Sequence, residues 1–384
     1  MLYETPALTA DDERVLAEVK DMRQALRHAV QTTPTKWTYD LRRTMTAQAV
    51  AASNTIEGYS VDVRDVADLM DDHDAAVSVS PENRAETLAY QQTMTYIQSL
   101  YNVEDFTYSK GLLNALHWML QGHHHPKKPA GQWRHGFIRI TAPGNEHATD
   151  YEGPDHSDVP RLMTELVDWL NEGDLEADPL VRAAMAHFNL VKIHPWRDGN
   201  GRMSRSLQTL LIVREQSVAP EFCSIEEWLG MPGNTWDYYR VLKKVGGPVY
   251  SPQRDTTDWI SFNLRAYHEQ TQGVQHRVER SNQAWIELSK QADQLGLTEE
   301  RQVTALHEVA MTGRVRRTRY EKAEGLNAQM AKRDMKHLTD QGLLEGIGNT
   351  RGRYYIPGNR YPAQVLETAA RAHRIIDPYD KDDA

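Results

Sequence analysis

The chain has 384 residues, 40% of them hydrophobic and 26% charged, with a formal net charge of −10 and Cys223 as its one cysteine. That length favours two or three domains with a buried core. The acidic balance excludes a chain that binds nucleic acid over its whole surface, though not one basic module. A lone cysteine excludes an internal disulfide. No apolar stretch approaches the ~18 residues that cross a bilayer, and MLYETPALTADDERVL lacks a basic stretch followed by an apolar run, so no signal peptide, no membrane contact and a cytoplasmic location are expected.

Helical periods dominate. Residues 10–30 and 42–57 read as helices, with TTPTKW between them as a breaker. The second ends in SNTIEG, which places Glu57 in its last turn, where a negative charge opposes the helix dipole at a cost of roughly 0.3–1 kcal/mol unless a cation compensates. Ser53, four residues earlier on the same face, is placed to brace that glutamate. A frayed helix end accounts for the same pattern. Helices follow at 82–101 and 108–121, then a Pro/Gly loop from His123 to Gln132. His117 and the run His123–His125 have no acidic or cysteine neighbour in sequence, and no structural metal is expected there. FIRI (Phe137–Ile140) and the turn-rich APGNEHATDYEGP suggest a hairpin, and RLMTELVDWL a helix beside it.

The richest segment is HPWRDGNGRMSR, His194–Arg205. Before it, Asp178 can cap and Pro179 can open a helix whose apolar stripe is Val181, Ala184, Met185, Phe188 and Val191. After it, Met203, Leu207, Leu210 and Leu211 repeat that spacing. The loop is therefore held between two buried helices. Gly199-Asn200-Gly201 can turn successive N–H groups into one concavity, and the helix that starts there adds its positive dipole end. Arg202 and Arg205 share the first turn, so the set suits a polyphosphate. Asp198 can hold Mg²⁺ together with substrate phosphates. The residue before a proline leaves the helical region, so His194 should end the preceding helix, where it can act as a general base. Taken singly these residues read as a turn, a core histidine and a solvated helix face. Their convergence within twelve positions carries the functional reading.

From residue 296 the character changes. LTEERQVTALHEVAMTG is a helix with Val303, Leu306, His307 and Ala310 on one face, and its HEVAM lacks the second histidine of a zinc-hydrolase motif. RVRRTRYEKAEG reads as a short helix. LNAQMAKRDMKHLTDQG is a third, capped by Asn327, with Ala331, Met335 and Leu338 inward. LLEGIGNTRGRYYIPG reads as a two-stranded ribbon turning at Gly348–Gly352, giving a winged helix-turn-helix pattern. Residues 311–360 carry 11 Lys/Arg against 5 Asp/Glu, so this module is basic within an acidic chain. Lys332, Arg333 and Lys336 on the third helix, with Arg351 and Arg353 near the ribbon turn, are its candidate DNA contacts. A protein-docking or dimer surface is the alternative. The tail DPYDKDDA reads as a solvated end.

HPWRDGNGRMSR resembles the signature of the Fic family, H-x-F-x-[DE]-G-N-G-R-x-x-R, departing from it only at Trp196, where packing rather than chemistry should change. The resemblance extends more loosely over roughly residues 45–270. It implies a protein adenylyltransferase that moves AMP from ATP to a Tyr, Ser or Thr hydroxyl of a target protein, self-modification included. His194 would be the general base and Asp198 the Mg²⁺ ligand. Gly199, Asn200 and Gly201 would hold the phosphates, with Arg202 beside them and Arg205 on the γ-phosphate. The hairpin near 137–151 resembles the family's flap, and Tyr238 and Tyr239 of NTWDYYRVL its aromatic pair near adenine, although two core tyrosines would look the same. SNTIEG resembles the family's inhibitory motif, in which Glu57 would pair with Arg205 and obstruct the γ-phosphate. Removal of AMP, transfer of another group, and a DNA-binding regulator with a nucleotide-sensing core remain alternatives.

The expected architecture is mainly α. A helical region at 1–80 contains an inhibitory helix at about 42–58. A Fic-type core follows at 81–270 with a small β-hairpin flap, then a connecting helix at 271–295, a winged helix at 296–360 and a tail at 361–384. A homodimer is compatible with this.

Overall fold

A computed structural model describes residues 1–32, 37–71, 78–142, 145–349 and 352–380. It is mainly helical. In chain order the helices are α1 (Ala10–Thr32), α2 (Trp37–Ile56), α3 (Val63–Asp71), α4 (Pro81–Ser99), α5 (Lys110–Gln121), α6 (Val159–Glu172), α7 (Pro179–Ile193), α8 (Asn200–Glu215), α9 (Glu226–Leu229), α10 (Pro232–Gly246), α11 (Thr257–Lys290), α12 (Gln302–Thr312), α13 (Arg317–Glu324), α14 (Ala328–Asp340) and α15 (Ala363–Ala370). Two antiparallel ribbons join β1 (Arg139–Ala142) to β2 (Asn145–Glu152) and β3 (Leu344–Ile347) to β4 (Tyr354–Pro357). Among the described residues no helix is long and apolar enough to cross a membrane.

The helix starts follow their capping chemistry. Asp178 accepts from the Leu180 N–H with Pro179 in the first turn, and Asn327 accepts from Met330 N–H, as the sequence predicts. Ser80 and Ser109 cap α4 and α5 in the same way. α7 and α8 pack against each other at the centre of the larger core. The stripe read on α7 is buried, and so is the rest of that helix from Leu180 onward except Arg182. Such a helix is enclosed on all sides and makes a rigid mount.

Several boundaries differ from the sequence reading. α2 begins at Trp37 rather than residue 42, because Trp37 is fully buried and anchors an extra turn; residues 33–36 of the expected breaker lie outside the described residues. α2 stops at Ile56, so Glu57 stands just past its last turn. α3 was not expected: it is short, and its Asp/Arg content hides the inward Val66 and Leu69. The flap strand starts at Arg139, leaving Phe137 exposed. The boundary expected at 270 falls inside α11, which runs unbroken and contributes Tyr267 and Val274 to the large core and Ala284 and Leu288 to a second one. Residues 377–380 of the tail pack back rather than extending into solvent, Tyr379 donating to Asp12 at 2.7 Å and Asp377 pairing with Arg265 at 3.1 Å; residues 381–384 lie outside the described residues.

The second core is that of the C-terminal module, built by α12–α15 and β3–β4. An isolated antiparallel bridge pairs Val315 with Tyr355 beside the ribbon. Three helices, α12 to α14, and this ribbon share that core with α15. The module is fastened to α2 and α3 by buried and half-buried ion pairs. Arg314 reaches Asp65 at 2.7 Å and Asp68 at 2.6 Å, Arg316 reaches Asp68 at 2.7 Å, and Arg319 pairs with Asp40. Part of the module's positive charge is thus committed inward. Lys332, Arg333 and Lys336 stay exposed along α14, Lys336 pairing with Asp340, and Arg353 is exposed with its guanidinium over the Tyr355 ring. Arg351 lies outside the described residues.

Candidate active site

The loop between α7 and α8 is fixed from four sides. His194 ends α7, as expected before Pro195, and does so in a left-handed conformation, φ 52° and ψ 57°. Its carbonyl accepts from Arg134 Nε at 2.8 Å, and the same buried guanidinium donates to the carbonyls of Gly136 (2.7 Å) and Pro154 (2.6 Å). One arginine therefore ties the loop to both ends of the flap. Asn200 closes the loop on itself, accepting from the Trp196 N–H at 3.1 Å and donating to the Trp196 carbonyl at 3.0 Å. Trp196 is fully buried, stacks on His117 at 4.6 Å and donates to Asn114 at 3.0 Å. His117 Nε2 donates to the Asp198 carbonyl (3.0 Å) while its Nδ1 accepts from Gly131 N–H (2.8 Å), so this histidine is a satisfied brace.

Around the loop lies a cavity of about 500 Å³. His194, Asp198, Gly199, Asn200, Gly201, Arg205, Tyr238, Tyr239 and Glu57 all line it, together with the flap residues Ile138 to Ile140. Burial pushes the His194 pKa down to about 4, against a hydrogen bond from Nδ1 to the Val191 carbonyl at 3.1 Å. Since Nδ1 donates there, the neutral ring keeps its lone pair on Nε2. Burial pushes the Asp198 carboxyl up, but the Lys128 ammonium at 2.6 Å and the Gly199 N–H at 2.7 Å outweigh it, so the group is held below its ordinary pKa. Of the three residues read as a nest, only Gly199 has positive φ (75°); Asn200 and Gly201 already belong to α8. The anion site is therefore the first turn of α8, with its unpaired N–H groups and positive dipole end.

Glu57 sits over that turn. Its Oε1 lies 2.8 Å from Arg205 Nη2, and a Cβ added at Gly201 would stand 2.5 Å from the same oxygen. Ser53 does not brace the glutamate as expected. It braces the arginine: its Oγ accepts from Arg205 Nε at 2.9 Å and its carbonyl from Nη2 at 3.2 Å. Tyr239 donates to the Ile56 carbonyl at 3.2 Å and ties α10 to the end of α2. Tyr238 is buried and donates to His187 Nε2 (3.0 Å), so it is a core residue with one edge on the cavity.

Arg202 is the residue the structure moves. It does not line the cavity; it is buried against Glu86, with its guanidinium 5.4 Å from the centre of the Tyr59 ring. Residues 202 and 205 are separated by three positions, yet the helix rotation carries the first toward α4 and the second toward α2. Among cavity residues that sequence reasoning missed, Arg197 is exposed, and Lys192 is buried with its ammonium 4.2 Å from the Tyr151 ring centre and its pKa pushed down by burial to about 8. Lys192 precedes His194 by two positions, a proximity that could have flagged it. Arg134 and Lys128 carried no such signal, because their partners lie 60 and 70 residues away.

The fold and the site define a mainly helical protein in which a helix N-terminus, a histidine and a carboxylate share one cavity. Residues 107–212 match the model of the Fic/DOC family, and the chain carries a Fic domain there. It is 32% identical over 169 residues to protein adenylyltransferase Fic of Culex quinquefasciatus, a stretch covering 44% of this chain and 32% of that protein. Against protein adenylyltransferase fic-1 of Caenorhabditis elegans it is 28% identical over 215 residues, 55% of this chain and 39% of the relative. The chain thus spans about a third to two fifths of these curated relatives. A Fic family protein from Desulfovibrio desulfuricans superposes with a TM-score of 0.57 at 21% identity, covering 93% of this chain and 99% of its own. Fic-1 from C. elegans gives 0.53 at 21% identity over 70% and 73% of the two chains. The shared architecture is therefore the Fic fold.

Proposed function

We propose that the protein is an adenylyltransferase that moves AMP from ATP to a hydroxyl side chain of a target protein and is restrained by Glu57. The observation that carries this is the neutral His194 facing the same cavity as the first turn of α8. In the reaction His194 Nε2 takes the hydroxyl proton and the oxygen attacks the α-phosphorus. The bond from that phosphorus to the bridging oxygen breaks, and pyrophosphate leaves. The N–H groups of Asn200 and Gly201 and the Arg205 guanidinium take up the phosphate charge, with Gly199 shaping the turn before them. Asp198 offers a half-exposed, ionised oxygen ligand on the cavity, a donor type that suits a hard divalent cation; it would hold Mg²⁺, whose contribution when bound is to neutralise phosphate charge. Arg202 acts at one remove, by pinning α8 to α4. The flap edge, β1, is positioned to take a target segment by strand addition.

Glu57 explains the restraint. Its carboxylate occupies the space above Gly201 and neutralises Arg205, so a phosphate seated there would meet both a steric block and a like charge. Label transfer from α-³²P-ATP with Mg²⁺, read as self-modification, tests the reading. Glu57→Gly should raise the label. Adding His194→Ala should remove it, by about 100-fold or more for loss of a general base. Label in wild type that does not rise in Glu57→Gly would overturn the inhibitory role.

A second reading belongs to α14. Its exposed Lys332 and Arg333 stand opposite the buried Ala331, Met335 and Leu338, which is how a recognition helix presents phosphate contacts. Duplex DNA should then bind the full chain with an affinity that falls steeply between 50 and 200 mM salt, roughly 0.9 in logarithmic slope for each phosphate contacted. Absence of binding at low salt would leave the module a docking surface for protein.

A further inference from the structure

Glu86 on α4 is buried, yet two histidines from the turn after α5 converge on one of its oxygens. His123 Nε2 lies 3.2 Å and His124 Nε2 2.5 Å from Oε1. The two imidazoles are 4.0 Å apart between ring centres, and the three ligand atoms all fall within 4.8 Å of one another. Oε2 is occupied by the buried Arg202 guanidinium. We infer that Glu86, His123 and His124 form a binding site for a first-row transition-metal ion of the Zn²⁺, Co²⁺ and Ni²⁺ class.

The donor set decides the class. Two imidazole nitrogens and one carboxylate oxygen suit these ions, whereas Mg²⁺ and Ca²⁺ prefer oxygen ligands throughout. Ligands bound at about 2.0–2.2 Å in a tetrahedron stand roughly 3.3 Å from each other. His123 already has that separation from Oε1, and His124 needs to move outward by less than about 1 Å. It can do so, because the Gly122–His124 turn leaves both imidazoles about one-fifth exposed. Arg202 fixes the carboxylate rotamer from behind, the orienting role that outer partners play at metal sites, and leaves Oε1 as a single ligand. Water can fill the open position. An ion here would tie α4 to the turn after α5 and, through Arg202, to the first turn of α8. It is a different site from Asp198 and shares no residue with it.

The test uses the full-length protein stripped with EDTA and titrated with Co²⁺, read by visible ligand-field absorption, then with Zn²⁺ by competition against a chromophoric chelator. One equivalent should bind with a tetrahedral or five-coordinate spectrum. The His123→Ala/His124→Ala pair should weaken it by about 100-fold or more. His124→Asn, the smaller change, should weaken it as well, which guards against a misfolded double variant; melting of both in EDTA should match wild type. The group of half-buried His276 with exposed Glu279 and His373 is the obvious competitor, so His373→Ala should leave the spectrum unchanged. No absorption on Co²⁺ addition would overturn the inference. So would a spectrum that survives in both histidine variants, or that is lost in His373→Ala or Asp198→Asn instead. None of these readouts requires transfer activity, so the outcome is independent of the proposed reaction.

Discussion

Trp196 departs from the motif at a position that packs into the core beneath the loop. It fills the position of the motif's phenylalanine, and its extra ring edge finds a partner in Asn114. Trp196→Phe should cost about 1–3 kcal/mol, from the void and from the stranded Asn114 amide. Asn114→Ala should cost about 1 kcal/mol, and urea unfolding measures both. At His194 the prediction concerns pH. Burial lowers its pKa to about 4, so the base is already neutral well below the ordinary histidine value of about 6.5. The acid limb of kcat/KM for label transfer in Glu57→Gly should therefore fall below pH 6. A limb at 6.5 would mean that the ring is solvated during turnover.

Two elements determine what the site can do. α2 presents Ser53 and Glu57 to Arg205 at one end, while near the other it presents Asp40 to Arg319 of the C-terminal module. Both members of that second pair are buried. Removing one partner leaves an uncompensated charge, so Arg319→Ala should destabilise the protein by about 3–5 kcal/mol, seen as a lower urea midpoint. Arg317 on the same helix pairs with Glu321 one turn away and is one-third exposed, so Arg317→Ala should change stability by less than about 1 kcal/mol. The contrast separates buried contacts of the module from its surface charge.

For the whole molecule, pH again reports burial. His117, His187 and His307 are all enclosed, and burial lowers their pKa values to about 4, about 3 and about 4. The unfolded chain binds protons at these residues from about pH 6.5 downward, while the folded one does not. Each therefore withdraws stability as pH falls, between 6.5 and its folded value. His307→Gln should flatten the stability–pH curve over that window by up to about 1.4 kcal/mol per pH unit relative to wild type, measured by urea melts. Equal slopes in the two proteins would place the His307 ring in contact with water.

Local pattern by itself determined the helical class, the caps at Asp178 and Asn327, the loop held between α7 and α8, and that loop's own contributions to the cavity, from His194 to Gly201 with Arg205. Those features depend on neighbours within a few positions, where spacing alone fixes the geometry. The pairing of Glu57 with Arg205 was legible only through the resemblance of SNTIEG, since the two residues are 148 apart. Tertiary structure alone decided what long side chains reach for. It turned Arg202 from the phosphates to Glu86, set Ser53 on the arginine rather than the glutamate, joined core and module through one unbroken α11, and gave the histidine run the carboxylate it lacked in sequence. The physical reason is common to all of these. A buried charge must find a partner wherever the fold brings one, and that partner is chosen by proximity in space, which period and propensity do not encode.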